Sequence, residues 1–193
     1  DKRQLPLEMI INELRPILEN SSILKIGQNI KYDAKILKKY GINMIAVDDT
    51  MLMSFCINGG RHRHSMDSLS TRYLNHDPIP IKELIGTGKS AVTFDKVPIE
   101  KATTYASEDA DITLRLWSTF KPSLLANRVN TVYETMERPL IFVLKEMEEN
   151  GIVVDRKHLQ DMSNKLAQKM TNLESNIHKK AGFEFNVGSP KQL

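Results

Sequence analysis

Ile23-Leu24-Lys25-Ile26-Gly27-Gln28-Asn29-Ile30-Lys31-Tyr32-Asp33 is the stretch whose reading decides the fold. Four residues of strand character end at a glycine, and an amphipathic helical pattern starts within three positions. Asn29 is placed to cap that helix, which the spacing predicts from Ile30 to about Tyr40, with Gly41 just past its end. Ile42 to Val47 then reads as a second strand. Asp49 or Thr50 caps a further helix carrying Met51, Leu52, Phe55 and Cys56. This strand–helix–strand–helix order predicts an α/β layer with at least partly parallel strands. Upstream, residues 7–19 read as an amphipathic helix that Pro16 should kink or end.

Downstream, Ser65 is predicted to cap a helix to about Leu74. Residues 75–98 are irregular, with Pro78, Pro80, Gly86 and Gly88, and perform one helical turn near Lys82–Ile85. A long helix then runs to about Phe120. After Lys121-Pro122 the α/β signals stop. Pro139 is predicted to start a helix to Asn150, and Asp155 one of about 25 residues that Gly182 ends. The apolar positions Leu159, Met162, Leu166, Met170, Leu173 and Ile177 form a seam expected to pack on the 139–150 helix. Ser189-Pro190 reads as the start of another helix. Two strands do not make a stable open sheet. Further strands are therefore expected upstream, or the sheet edge is expected to pair with another copy of the chain.

Composition sets the class. At 193 residues, 40% hydrophobic and 26% charged, the chain is an ordinary globular protein of one or two domains. No apolar run approaches the roughly 20 residues that cross a bilayer. The net charge is only +3 and is spread evenly, so nucleic-acid binding would have to rest on local clusters. The single Cys56 excludes an internal disulfide and agrees with a reducing cytoplasm. Its apolar surroundings predict a buried, inert thiol. The first residues, Asp-Lys-Arg, carry no initiator Met, so a piece of a longer protein is expected.

Two pairs at i, i+4 carry the chemistry. Tyr105 and Asp109 project from one face of the long helix, and Asn29 and Asp33 are spaced alike at the start of a helix that follows a strand. A carboxylate beyond the carboxyl end of a strand is where open α/β sheets place ligands. A carboxylate and a phenol on a rigid element can hold a metal and aim a water. Gly86-Thr87-Gly88-Lys89-Ser90 is not a phosphate loop, because the first glycine of G-x-x-x-x-G-K-S falls on Glu83. Arg61-His62-Arg63-His64 is weak as a zinc site and better as a basic contact.

Set in order, these blocks resemble the proofreading 3′–5′ exonuclease domain of bacterial family A DNA polymerases. Gly27-Gln28-Asn29-Ile30-Lys31-Tyr32-Asp33 is similar to its second motif, and Tyr105-Ala106-Ser107-Glu108-Asp109-Ala110-Asp111 to its third. Asp49-Thr50-Met51-Leu52 and Arg63-His64-Ser65-Met66-Asp67-Ser68-Leu69 resemble blocks between them. Glu148-Glu149-Asn150-Gly151-Ile152 and Phe185-Asn186 through Lys191-Gln192-Leu193 resemble the entry into the polymerase domain.

The resemblance implies an α/β, RNase H-like (DnaQ-like) exonuclease domain over residues 1–122, lacking its first strands. A mostly helical start of the polymerase domain follows over 123–193. It implies two-metal phosphodiester hydrolysis with Mg²⁺ or Mn²⁺. Asp33 and Asp109 become metal ligands and Tyr105 orients the attacking water. Asn29 supports the second motif, and Arg63 contacts a single-stranded 3′ end. Primer-template DNA and deoxynucleoside triphosphates are the partners implied for the parent protein, with no membrane. The family's first motif, Asp-x-Glu, has no match in residues 1–28, where Glu8 and Glu13 have the wrong spacing. The chain alone is therefore expected to be inactive. Ile81 stands where some relatives place a stacking aromatic. A ribonuclease D-like exonuclease and a non-catalytic DNA-binding scaffold are the alternative readings.

Overall fold

The computed structural model describes residues 4–192, apart from the side chain of Lys89. Leu193, the last residue of the final resembling block, lies outside it. The chain divides into two compact units between Asn150 and Gly151.

In the first unit, α1 (Leu7–Leu18) precedes β1 (Lys25–Gly27), α2 (Ile30–Lys38), β2 (Val47–Asp49) and α3 (Thr50–Asn58). Pro16 does not interrupt α1, which ends two residues later. Arg15 joins α1 to the end of α2, donating to Gly41 O at 2.6 Å and Tyr40 O at 3.2 Å. A cation there satisfies carbonyls that have no partner within the helix. The two strands pair in parallel, with Lys25, Ile26 and Gly27 opposite Val47, Asp48 and Asp49. The second strand is shorter than the apolar pattern from Ile42 to Val47 predicted, and lies further along the chain. Ile42 and Met44 are buried as a loop, filling core space without joining the ladder.

Gly27 ends β1 where α2 crosses it. A Cβ there would lie 2.8 Å from Cβ and Cγ1 of Ile30. Those atoms sit at the root of a buried side chain and cannot swing away. Gly27→Ala should lower stability by about 1–3 kcal/mol, read as a fall in Tm on thermal denaturation. An unchanged Tm would show that α2 yields more readily than this packing implies.

The rest of the unit is helical. α4 (Met66–Leu69) continues into a π turn at Ser70–Leu74, and α5 (Ile81–Ile85) gives the single helical turn expected in the long loop. α6 runs from Ile99 to Ala126, six residues past the predicted end. Pro122 is tolerated in its last turns. The composition shift at 122–123 thus falls inside a helix. The helix predicted from Pro139 begins earlier, as α7 (Asn130–Val132), a π turn at Tyr133–Glu137 and α8 (Arg138–Asn150).

The main core joins Met53, Leu69, Ile112, Leu116, Phe120, Leu124 and Tyr133, from α3, α4, α6 and the π turn. A smaller cluster of Ile30, Ala34, Met44, Val47 and Ile141 seats α2 and α8 against β2. On its rim, Glu148 of α8 pairs with Lys31 and, at 2.7 Å, with Lys35. Hydrogen bonds from Lys31 and Lys35 pull the Glu148 carboxyl from 4.5 down to about 2. A carboxyl lowered on folding stabilises above its unfolded pKa and loses that contribution as pH falls toward the folded one. The cross-link should therefore weaken between about pH 4.5 and pH 2, and it should be salt-sensitive because the groups are exposed. Glu148→Gln should remove both dependences in this window, measured as the difference in Tm from the parent chain at each pH and salt.

The second unit is built on α9 (Arg156–Ala181). Asp155 caps it, accepting from His158 N at 2.9 Å, and Gly182 ends it at φ 80°. Both caps stand where the sequence placed them. The seam from Leu159 to Ile177, expected to be packed, is exposed at all six positions, from 37% to 69%. One helix and a short tail offer no second face to cover it. Ser189 and Pro190 lie in a turn rather than at the start of a helix.

Candidate active-site cleft

The carboxyl end of β1 and the middle of α6 enclose a cleft of about 520 Å³, lined by Ile26, Gly27, Gln28, Asp33, Met66, Asp109, Ala110, Thr113 and Leu114. Asp33 reaches it from the first turn of α2 and Asp109 from the third turn of α6. The two carboxylates singled out in the sequence therefore share one cavity. Burial, opposed by its backbone hydrogen bond, pushes the Asp33 carboxyl above its ordinary value. Burial also pushes Asp109 up, and the charges of Glu108 and Asp67 add to this while a bond from Tyr105 opposes it. Asp109 Oδ1 is buried and has no hydrogen-bond partner among the described residues. A desolvated carboxylate with an open lone pair is an incomplete polar site.

Tyr105 lies one turn before Asp109, as the i, i+4 spacing requires, and packs on Phe94 with ring centroids 6.0 Å apart. Burial, with the adjacent Asp109 charge and hydrogen bond, raises its hydroxyl to about 12. It remains a protonated phenol at any physiological pH.

The neighbouring acids of this motif do other work. Glu108 binds His76 at 2.8 Å and Ile79 N at 2.7 Å, tying the 75–98 loop to α6. Asp111 pairs with Arg115 along the helix surface. Asp67 of α4 adds negative charge to the Tyr105–Asp109 side of the cleft. Only the block containing Asp67, not its own role, was evident from sequence.

Asn29 is not in this cleft. It lines a separate pocket of about 80 Å³ with Asp49, Leu52, Ile141 and others. Its φ of 57° is left-handed, and its side chain makes no cap bond, so the expected Asn29 cap is replaced. Asp49 supplies it, accepting from Asn29 N at 3.1 Å and Ile30 N at 2.9 Å. The same carboxylate caps α3 through Met51 N and Leu52 N.

Arg63 is exposed, and its guanidinium makes no hydrogen bond or ion pair among the described residues. The histidines beside it are internal braces. His64 bonds Ser54 Oγ at 2.9 Å and Gly59 O at 2.7 Å, and His62 contacts Arg63 O and Tyr73 Oη. Both rings are thus used structurally, and Arg63 is left presented to solvent. Cys56 is half-buried, with its thiol raised to about 11 by burial and by the Glu137 charge, which makes it a poor nucleophile.

Among the described residues no group of three or more His, Cys, Asp or Glu is placed to hold a metal ion. Asp33 and Asp109 still fit a hard divalent cation. Mg²⁺ is held by one or two carboxylates, with water and substrate phosphate completing the shell, and Asp109 Oδ1 has an open lone pair. No described helix is long and apolar enough to cross a membrane.

Comparison with known proteins shows the family. The chain is 50% identical to DNA polymerase I of Rhizobium leguminosarum and 40% identical to that of Pseudomonas aeruginosa, over 98% of its own length in both cases. It spans 19% and 21% of those proteins, about a fifth of each. Its fold superposes on the solved POL domain of Pol1 from M. smegmatis, in complex with DNA primer-template and dNTP. The TM-score is 0.72 at 22% identity, covering 99% of this chain and 30% of that one. A model of the 3′-5′ exonuclease domain matches residues 2–125, which contain the cleft, both of its carboxylates and Tyr105. The chain belongs to the 3′-5′ exonuclease family of family A DNA polymerases, an RNase H-like fold.

Proposed function

We propose that this chain is part of a DNA polymerase I and that, in the whole protein, this cleft removes nucleotides from single-stranded 3′ ends by metal-assisted hydrolysis, the chain alone being inactive. One observation carries the reading: Asp33 and Asp109 come from distant parts of the sequence, line one cleft, and Asp109 keeps a buried, unpartnered oxygen there. In the same proposal, residues 1–122 belong to the exonuclease domain and 123–193 open the polymerase domain. The whole protein extends primers from deoxynucleoside triphosphates in the cytoplasm.

Divalent Mg²⁺ or Mn²⁺, when bound, supplies positive charge to the scissile phosphate and makes water acidic enough to act as nucleophile. Asp33 and Asp109 would hold it. Tyr105 stays protonated with its phenol raised to about 12, so it orients a water by hydrogen bonding and does not serve as the base. Asp67 and Glu108 add negative charge that draws cations inward. Arg63, whose guanidinium makes no hydrogen bond or ion pair among the described residues, would meet the phosphate backbone of the incoming strand.

Mn²⁺ titrated into the chain tests this directly. Paramagnetic broadening should appear first at the amides of Gln28, Ala110 and Thr113, and Asp33→Asn or Asp109→Asn should remove it. Broadening confined to other acidic surfaces would refute the site. DNA binding that depends on Arg63 and salt, without Mn²⁺ in the cleft, would favour a non-catalytic scaffold.

A further inference from the structure

We infer that Asp49 is a positioning residue for the cleft: its one carboxylate clamps the start of α2 and thereby fixes Asp33. The inference rests on the cleft reading above, but its first readouts do not depend on metal.

The geometry is unusual for a cap. A single N-cap side chain ordinarily serves its own helix. Asp49 is the N-cap of α3, and its Oδ1 accepts from Met51 N at 2.9 Å and Leu52 N at 3.4 Å. The same carboxylate crosses to α2, where Oδ1 takes Asn29 N at 3.1 Å and Oδ2 takes Ile30 N at 2.9 Å. Asn29 cannot cap α2 itself, because its left-handed backbone turns its side chain away from the first turn. The start of α2 therefore depends on a residue from the neighbouring strand. Asp33 is four residues beyond Asn29, in the turn that this clamp orders.

Asp49 is itself held from beneath. Its N–H donates to Tyr133 Oη at 2.9 Å, and that hydroxyl donates to Asp48 Oδ1 at 3.0 Å. Tyr133 is fully buried and sits in the π turn of the last helical segment of this unit. Such turns re-aim one side chain at the cost of helix regularity. Here the turn delivers a phenol under the carboxyl end of β2. The clamp thus links the residues after the exonuclease match, through β2, to the helix that carries one cleft carboxylate.

The test uses the chain as it stands, by NMR. In Asp49→Ser, a hydroxyl is a good cap for α3 but has one oxygen and a shorter reach, so α2 loses its clamp. The Asn29 and Ile30 amides should exchange about tenfold faster, while those of Met51 and Leu52 change little. The Asp33 side-chain carboxyl ¹³C resonance should move toward its position in the unfolded chain. In Asp49→Asn the oxygen facing Met51 and Leu52 can be kept, and the amide NH₂ then opposes Ile30 N–H. This milder variant keeps the oxygen that also serves Asn29, so exchange should quicken at Ile30 alone among the four amides, and it guards against unfolding of the first.

Unchanged exchange at Ile30, or an Asp33 resonance that stays in place in both variants, overturns the inference. Global acceleration of exchange in both, Met51 and Leu52 included, also overturns it, because Asp49 would then be a general fold residue. Mn²⁺ broadening is the separate arm. If it is present in the parent chain, its apparent affinity should weaken about 10–100-fold in Asp49→Asn, and an unaltered affinity sinks the inference. If it is absent from the parent chain, the metal reading fails, and the Asp33 resonance and amide exchange alone decide the role of Asp49.

Discussion

Asp48→Ala is expected to cost about 3 kcal/mol of folding stability, read as a lower urea midpoint at unchanged m. Asp48 is fully buried at the centre of β2. Its carboxylate accepts from Trp117 Nε1 at 2.8 Å, Lys121 Nζ at 3.0 Å, Tyr133 Oη at 3.0 Å and Arg138 Nη1 at 3.4 Å. Removing one partner of a buried ion pair typically costs about 3–5 kcal/mol. The low end applies, because Lys121 and Arg138 are 31% and 38% exposed and both keep Glu134 as a counter-ion. Trp117 N–H does lose its acceptor, and Tyr133 must rely on Asp49 N–H alone. Asp48→Asn keeps an acceptor and should cost less, about 1–2 kcal/mol.

The pH dependence has a definite sign. Burial alone would raise the Asp48 carboxyl, but the bonds from Trp117, Lys121 and Tyr133 and the Lys121 charge outweigh it and hold the group below 3.8. Its contribution is therefore complete above the unfolded carboxylate pKa and disappears as pH falls below it. The parent chain and Asp48→Asn should converge in stability in that acid range. A midpoint for Asp48→Ala equal to that of the parent chain would show that the network is dispensable.

Much of this was visible in the residues, and the exceptions share a cause. The parallel strand pair, the caps at Asp49 and Asp155 and the stop at Gly182 all follow from local chemistry, and local chemistry is what a sequence displays. So does the i, i+4 alignment of Tyr105 with Asp109. What stayed hidden depends on contacts across the chain. Asn29 has the composition of a cap, yet its left-handed backbone hands that role to Asp49, and no spacing rule points to a carboxylate twenty residues on. Asp48 drew no attention in the sequence, because its partners lie on α6 and beyond. The long helix was expected to end near Phe120, but α6 runs on through Pro122 to Ala126 and buries Leu124. The seam on α9 has core spacing and is exposed, since periodicity says that a face is apolar and not what covers it.

Asp109→Asn in the protein that carries this chain should abolish 3′ exonuclease activity on single-stranded DNA while leaving the fold more stable than before. Losing a carboxylate that holds a catalytic cation forfeits several kcal/mol of transition-state stabilisation, on the order of 10³ or more in rate at 1.36 kcal/mol per decade. Asp33→Asn should do the same, and the double variant should be little worse than either, because groups that act as one unit are non-additive. Stability runs the other way. Burial raises the Asp109 carboxyl, with Glu108 and Asp67 adding like charge, and Oδ1 has no partner. A carboxylate whose pKa rises on folding costs stability at neutral pH when ionised, so a neutral amide of the same shape should raise Tm. Tyr105→Phe should reduce the rate less, since in the proposed reading it removes a hydrogen bond to water and no cation ligand. Gain of stability with loss of activity is the signature of a site held against folding by its function. If Asp109→Asn kept full exonuclease activity, the cleft would not be the active site. If it lost activity and Tm together, the loss would reflect the fold and not the chemistry.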